Sequence, residues 1–353
     1  MLVRMSQVKV ALLGYGVAGE HFHAPLIHAT PGLHLTAIVT SDPDRVGRAE
    51  ARYPGVTVFP RSEDVFRDAG SYDLVVIATP NASHVPLAVA AVDAGLPVVV
   101  DKPLATSAPD AQRLVERAQA AGVLLTVFQN RRWDSDFLTL QRLIDNGDLG
   151  TVWRFESRFE RWRPQPKQGW RESGDPSDGG GILGDLGSHL VDQALVLFGP
   201  VTRVFATMDR RRPGVAVEDD ACIELSHASG VRSTLWMSAV AAHLGPRLRV
   251  LGSRAAYVVE GLDCQEDALR AGADPAGADW GKESPKLWGR VVIGDDSRAV
   301  ARGPGRYPDF YGQVRDALRL AGPLPVKPEE AVATLRVLDA ARRSADRGEV
   351  VRP

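Results

Sequence analysis

Cysteine is nearly absent: Cys222 and Cys264 are the two in 353 residues. Two thiols cannot build a disulfide scaffold or a cysteine-rich metal site. A reducing, cytoplasmic compartment is the simplest expectation. No stretch approaches ~18 uncharged apolar residues, so no spanning helix is expected. The segment Met1–Gln7 lacks the apolar centre of a signal peptide, so no secretory leader is expected either. A large charge of either sign is also missing. The net value is −2, which leaves no global basic field to recruit nucleic acid or an anionic membrane. Lysine is scarce: Lys9, Lys102, Lys167, Lys282, Lys286 and Lys327 are six of 42 basic residues. Base composition accounts for such a bias, but each lysine then merits inspection. What is plentiful is apolar material, 44% of the chain against 24% charged, enough for a sizeable core and, at this length, two domains.

The rhythm of the chain changes once. From Val8 to about Gln129, short apolar runs alternate with helical patterns. Val8–Leu13, Leu33–Thr40, Val56–Val58, Leu74–Ala78, Val98–Val100 and Leu124–Phe128 read as strands. Helices are expected around Gly19–Ala29, Pro43–Arg52, Ser83–Ala94 and Ala108–Ala121. Continuous apolar strands separated by helices predict a doubly wound parallel sheet. After a helix at Phe137–Asp145, strands come in neighbouring runs: Val152–Phe159, Val201–Met208, Asp220–Leu225, Arg232–Met237, Arg247–Gly252 and Ala255–Glu260. Their short Gly, Pro or Ser connections predict an antiparallel sheet. Gly272–Gly289 and Gly303–Tyr307 read as loops, and Asp309–Arg319 and Pro328–Arg347 as closing helices. The expected division is 1–129, a dinucleotide-binding α/β domain, and 130–353, an α/β domain for substrate and association.

The first chemical signal is Gly14-Tyr15-Gly16-Val17-Ala18-Gly19, a G-x-G-x-x-G run that follows a strand and opens a helix. Gly14 permits the tight turn, Gly16 admits a pyrophosphate against the backbone, and Gly19 allows close helix packing. At the end of the second strand stand Thr40 and Ser41 rather than the carboxylate that binds the ribose diol of NAD. With Arg45 nearby, NADP is expected ahead of NAD. Asp42 counts the other way unless it serves as a helix cap before Pro43.

Two more strand ends point at the same crevice: Thr79-Pro80-Asn81-Ala82-Ser83-His84, and Asp101-Lys102-Pro103. A lysine directly after a buried strand is poorly placed for a solvated role. Its plain alternative is an ion pair with Asp101 or a neighbour; that of His84 is a helix-start residue. Further on, Gly179–Gly184 lead into Asp185-Leu186-Gly187-Ser188-His189-Leu190-Val191-Asp192. In a helix, Asp185, Ser188, His189 and Asp192 share one stripe. That stripe is either a site or the exposed face of an amphipathic helix. No metal is expected, because no further His or Cys lies nearby. Together the groups suit oxidation of a secondary alcohol. A histidine can accept the hydroxyl proton, and a lysine ammonium can stabilise the developing alkoxide.

Gly14–Gly19, Asp101-Lys102-Pro103 and Asp185-x-x-x-His189 resemble the Gfo/Idh/MocA family of nicotinamide-dependent oxidoreductases over essentially the whole chain. The nearest likeness is to its NADP-dependent scyllo-inositol 2-dehydrogenase branch. His23-Ala24-Pro25-Leu26, Asn130-Arg131-Arg132-Trp133-Asp134, Trp170-Arg171-Glu172 and Gln265–Arg270 carry that impression. The resemblance implies a Rossmann domain joined to an α/β domain with an open, mostly antiparallel sheet. It implies that Lys102, Asp185 and His189 are catalytic. Gly14, Tyr15, Gly16, Val17, Ala18, Gly19, Thr40, Ser41, Arg45, Thr79, Pro80, Asn81, His84, Asp101, Lys102, Asn130, Trp170 and Arg171 would border the cofactor. Arg131 and Asp192 would join the catalytic three around a polyol or sugar. It also implies association into a homodimer or larger homo-oligomer through the open sheet. Two other classes stay open: a same-fold enzyme using transient oxidation for glycosidic cleavage or elimination, and a cofactor-binding sensor without turnover.

Overall fold

The computed structural model describes residues 7–166, 169, 172, 174–175 and 178–353. The first sheet is six-stranded and parallel. It comprises β1 (Val8–Leu13), β2 (Leu33–Val39), β3 (Thr57–Phe59), β4 (Leu74–Ile77), β5 (Val98–Asp101) and β6 (Leu125–Phe128), in the order β3-β2-β1-β4-β5-β6. The order reverses between β1 and β4, which opens the crevice where doubly wound sheets bind ligands. Every residue of β4 is buried, as a strand covered on both faces requires.

Helices α1 (Ala24–Ala29), α2 (Pro43–Arg52), α3 (Ser62–Arg67), α4 (His84–Asp93) and α5 (Ala108–Ala121) join these strands. Both α2 and α5 have the expected bounds because their ends are chemically marked. Each has proline in the first turn and a side-chain cap, Asp42 or Ser107, and α5 ends on left-handed Gly122. The unexpected α3 is too short to show a periodic pattern.

The second sheet follows α6 (Ser135–Asp145). It contains β7 (Val152–Glu160), β8 (Val201–Asp209), β9 (Asp220–His227), β10 (Arg232–Ser238), β11 (Leu248–Gly252), β12 (Ala256–Val259), β13 (Gly289–Ile293) and β14 (Asp296–Val300). Their order is β14-β13-β12-β11-β7-β10-β9-β8. The antiparallel expectation needs one correction, since β7 and β10 pair in parallel. The long connection from β7 through α7 (Ser188–Phe198), β8 and β9 gives the chain room for such a crossover. The β13–β14 hairpin and α8 (Gln265–Arg270) fall in stretches to which the sequence assigned no element. Both are short, and β14 is mostly exposed, so neither carries a strong apolar period.

The chain then returns to the first sheet. α9 (Pro308–Leu320) packs on α1, and α10 (Pro328–Arg347) packs on α5 and β6 as well as on α7 and β8. Thr126 Oγ1 in β6 donates to the Val326 carbonyl at 2.7 Å. The two sheets are thereby held in one arrangement, with the carboxyl ends of β1, β4 and β5 facing the start of α7. Among the described residues no helix is long and apolar enough to cross a membrane.

Candidate active site

The glycine run follows β1 as a turn that only glycine fits. Gly14 has φ +97°, and a Cβ there would lie 2.7 Å from the Ala78 carbonyl oxygen. A Cβ on Gly16, by contrast, meets nothing within 4 Å. Gly16 thus borders open space in a cleft of about 440 Å³. The chain makes one π turn, Gly19–His23, before α1 begins. Gly14 through Ala18, Thr40, Ser41, Arg45, Thr79, Pro80, Asn81, Asp101 and Lys102 all line this cleft. Gly19 does not border it; a Cβ there would collide with the Gly14 carbonyl oxygen, so its role is close packing of the turn. The hydroxyl end of Tyr15 is buried, and burial pushes it up to about 12. Asn81 Nδ2 donates to the Gly179 carbonyl at 3.3 Å, tying the first domain to the glycine run of the second.

Asp42 takes its plain role. Its Oδ1 accepts from the backbone of Asp44 and Arg45 at 3.0 and 3.2 Å, which commits the carboxylate to the N-terminus of α2. His84 is a correction, because it does not line the cleft. Its Nδ1 and Nε2 sit 2.8 and 2.9 Å from the carbonyl oxygens of Pro103 and Thr79. The buried ring therefore staples the loop after β4 to the loop after β5.

A second cavity of about 550 Å³ shares Val17, Ala18, Asp101, Lys102 and Asp185 with the first. Lys102 Nζ donates to the Asp185 carbonyl oxygen at 2.7 Å and to Asp185 Oδ1 at 3.1 Å. The partner of Lys102 is thus Asp185, not Asp101. Asp185 lies in a second π turn, Leu183–Gly187, which leads directly into α7. Such widened turns recur at functional sites. Asp101 accepts from the Lys102 backbone N–H at 2.8 Å, and its Oδ1 lies 3.7 Å from His23 Nε2. Burial alone would raise Asp101, but the His23 imidazole and the Lys102 charge hold it below the usual carboxylate range. Tyr311 Oη lies 2.6 Å from the other His23 nitrogen.

His189 lines this second cavity one turn beyond Asp185. Its ring is buried and meets Phe159 edge-on, with centroids 6.1 Å apart. Nδ1 is sealed off without a partner among the described residues, which leaves Nε2 as the nitrogen able to serve the cavity. Burial, then the charges of Lys102 and Arg131, depress the imidazole well below its ordinary range. His189 is therefore neutral at neutral pH and ready to accept a proton. The stripe is not an exposed face, since Ser188, His189 and Asp192 are all buried.

Asp192 is a further correction. Arg132 clasps it bidentately, Nε to Oδ2 at 2.8 Å and Nη2 to Oδ1 at 2.6 Å, and it does not line the cavity. The π turn offsets Asp185 from the regular helix below it, so the simple i, i+7 projection does not bring both carboxylates to one place. Arg131 and Asn130 do line the second cavity rather than the glycine cleft. Arg131 is already engaged by Glu266 and by Tyr307, 3.2 Å away. Trp170 and Arg171 lie outside the described residues. Sequence reasoning did not assign roles to His23, Tyr311, Glu266 or Arg161. The last had one available signal, the basic pair Arg161-x-Arg163 at the end of a strand.

Comparison with known proteins bears on the family and the fold. Residues 8–129 match the model described as the oxidoreductase family, NAD-binding Rossmann fold, and residues 137–258 match that of the GFO/IDH/MocA C-terminal domain. The chain is 42% identical over 340 residues to the uncharacterized oxidoreductase YdgJ of Escherichia coli K12, covering 96% of each. It is 32% identical over 346 residues to the scyllo-inositol 2-dehydrogenase (NADP(+)) IolW of Bacillus subtilis, covering 97% of this chain and 95% of that one. The solved structure of yvaA from Bacillus subtilis superimposes with a TM-score of 0.93 at 31% identity, over 99% of both chains.

Proposed function

This chain belongs to the Gfo/Idh/MocA family of oxidoreductases, and on that premise we propose that it interconverts a secondary hydroxyl and a carbonyl on a polyol or sugar, with NADP as its nicotinamide cofactor. The observation that carries this reading is the meeting of Lys102, Asp185 and His189 in the cavity that adjoins the glycine cleft. The cleft suits a dinucleotide: Gly16 faces open space, and the backbone turns at the carboxyl end of β1. A bound nicotinamide supplies the acceptor or donor of hydride.

The rest is done by this chain. Lys102 holds a positive charge and N–H donors where an alkoxide develops. Asp185 orients Lys102 through both its carbonyl and its carboxylate. His189 takes the hydroxyl proton during oxidation and returns it during reduction. Thr40, Ser41 and Arg45 offer hydroxyls and a cation to a 2′-phosphate, and the nearby Asp42 is withdrawn into its cap. IolW, whose name carries both NADP(+) and scyllo-inositol, supports the same choice of cofactor and substrate class. We also take the open face of the eight-stranded sheet as the surface of self-association, and the cytoplasm as the compartment.

The test is a panel of polyols, aldoses and glycosides assayed with NADP+ and NAD+, following both absorbance of the reduced cofactor and loss of substrate by chromatography. Net reduction with NADP+ and a polyol or sugar supports the reading. Consumption of a glycoside with no net change in cofactor overturns it in favour of transient oxidation. Cofactor binding with no turnover across the panel overturns it in favour of a sensor.

A further inference from the structure

The second cavity holds more positive charge than its own acids answer. Five cations line it: Lys102, Arg131, Arg161, Arg163 and Arg270. Three of these are already paired. Lys102 is taken by Asp185, Arg131 by Glu266 and Asp134, and Arg270 by Glu266. Of the remaining acids, Asp101 faces His23, and Asp267, like Arg163 and Arg270, is exposed at the rim. Arg161 has no carboxylate within ion-pair distance among the described residues.

The position of Arg161 is fixed by its backbone. Directly beyond β7, its N–H donates to the Ser238 carbonyl at 2.8 Å, and its own carbonyl accepts from Ala241 at 3.1 Å. The guanidinium is half-buried and borders Asp185 and His189 in the same cavity. Burial lowers its proton affinity most; the nearby Asp185 charge opposes this, and the charges of Arg163 and, more weakly, Arg131 add to it against Glu266. A desolvated, unpaired guanidinium is costly, and an anion placed on it recovers that cost. The anion is not the cofactor's pyrophosphate, because neither Arg161 nor Arg163 lines the glycine cleft.

We propose that the substrate carries a carboxylate or phosphate besides its reacting hydroxyl, and that Arg161, flanked by Arg163, receives it. A planar guanidinium matches either group bidentately, and a neutral polyol would leave it unanswered. This rests on the cavity being the substrate site of the proposed dehydrogenase.

The experiment uses matched probes with the NADP+-loaded protein: D-glucose, D-glucuronate and D-glucose 6-phosphate, then myo-inositol and an inositol monophosphate. Both kcat/KM and binding by calorimetry are measured. The expected result is an anionic member favoured over its neutral match by roughly 10- to 100-fold at low salt, the scale of one charge-assisted bidentate contact. The uronate and phosphate arms decide which anion it is. In Arg161→Gln the anionic-to-neutral ratio falls towards one, whereas Arg161→Lys keeps part of it. If Arg161→Gln does not fold, the test is the lysine variant together with loss of wild-type preference at high ionic strength. Equal or better binding of the neutral members, no binding of any anionic member, or a preference untouched by Arg161 substitution overturns the proposal. Turnover of neutral probes alone would do so while leaving the dehydrogenase reading intact. Anion binding that depends on Arg161, with no redox turnover of any probe, would fell the dehydrogenase reading and keep the anion site.

Discussion

Lys102 spends its ammonium on one neighbour, Asp185, at the edge of two cavities rather than in either sheet's apolar core. Lys102→Ala should therefore lower kcat by roughly 10²–10⁴, the scale for one positioned electrostatic or proton-transfer group. The melting temperature should move little, and calorimetric melting beside steady-state kinetics checks both halves. In the proposed mechanism His189 sets the pH response. Because its folded pKa is depressed well below the ordinary value, the oxidation rate should rise with pH through an apparent pKa below ~6.5 and then level off. Reduction should weaken as the same proton is lost. The depression also bears on stability. As pH falls below ~6.5 the unfolded chain binds this proton first, so stability falls progressively until the folded state is protonated as well. His189→Asn should slow both directions, flatten the pH–rate profile and flatten its own share of the melting-versus-pH curve. A variant profile identical to wild type would remove His189 from the mechanism.

At the scale of elements, short irregular turns do the positioning. The π turn Leu183–Gly187 delivers Asp185 to Lys102, and regular α7 then carries His189 into the cavity and Asp192 towards Arg132. Asp192→Asn is thus expected to act on stability. It weakens a buried ion pair whose arginine keeps Glu330, at a cost of about 3 kcal/mol, with substrate KM little changed. Denaturant unfolding against KM separates this from a substrate contact, which would raise KM and spare stability. The proposed preference for NADP is tested in the same local way, at the start of α2. With Asp42 held in its cap, Ser41→Asp adds a carboxylate that can accept from ribose hydroxyls and repel a 2′-phosphate. The kcat/KM ratio of NADP+ to NAD+ should fall on that substitution.

For the molecule as a whole, the long C-terminal helix α10 is the tie. It lies against both sheets, so the glycine cleft and the second cavity keep one relation. The inner face of the second sheet is closed by α7 and α10. Its other face carries a shallow groove with Arg154, Arg203, Glu224, Arg232 and Trp236, and Trp236 is 39% exposed. A broad sheet face with exposed aromatic surface suits association with a second copy. Trp236→Arg should shift the protein to a smaller species in sedimentation equilibrium without unfolding it. An unchanged mass would rule this face out as the contact.

Much of this was determined locally and could be read from the chain alone. Buried strands announce themselves as continuous apolar runs, and α2 and α5 are marked by proline, a polar cap and, in α5, glycine. Gly14, Lys102 and His189 are recognisable because the chemistry of a strand end or a glycine turn depends on immediate neighbours. Asp192, His84 and Arg161 are different. Whether a polar side chain meets substrate, a backbone carbonyl or a distant arginine depends on what the other elements bring to it. Arg132 arrives across 60 residues, and Pro103 across 19. A widened turn of a few residues redirects every side chain beyond it, yet it leaves no period of its own. The parallel pairing of β7 with β10 is likewise a decision of the crossover, made by chain that lies between them. Sequence therefore determined the strands and the glycine turn, and it named the candidate reacting groups. Only the tertiary packing decided which charges cancel one another and which, as at Arg161, stay open to a ligand.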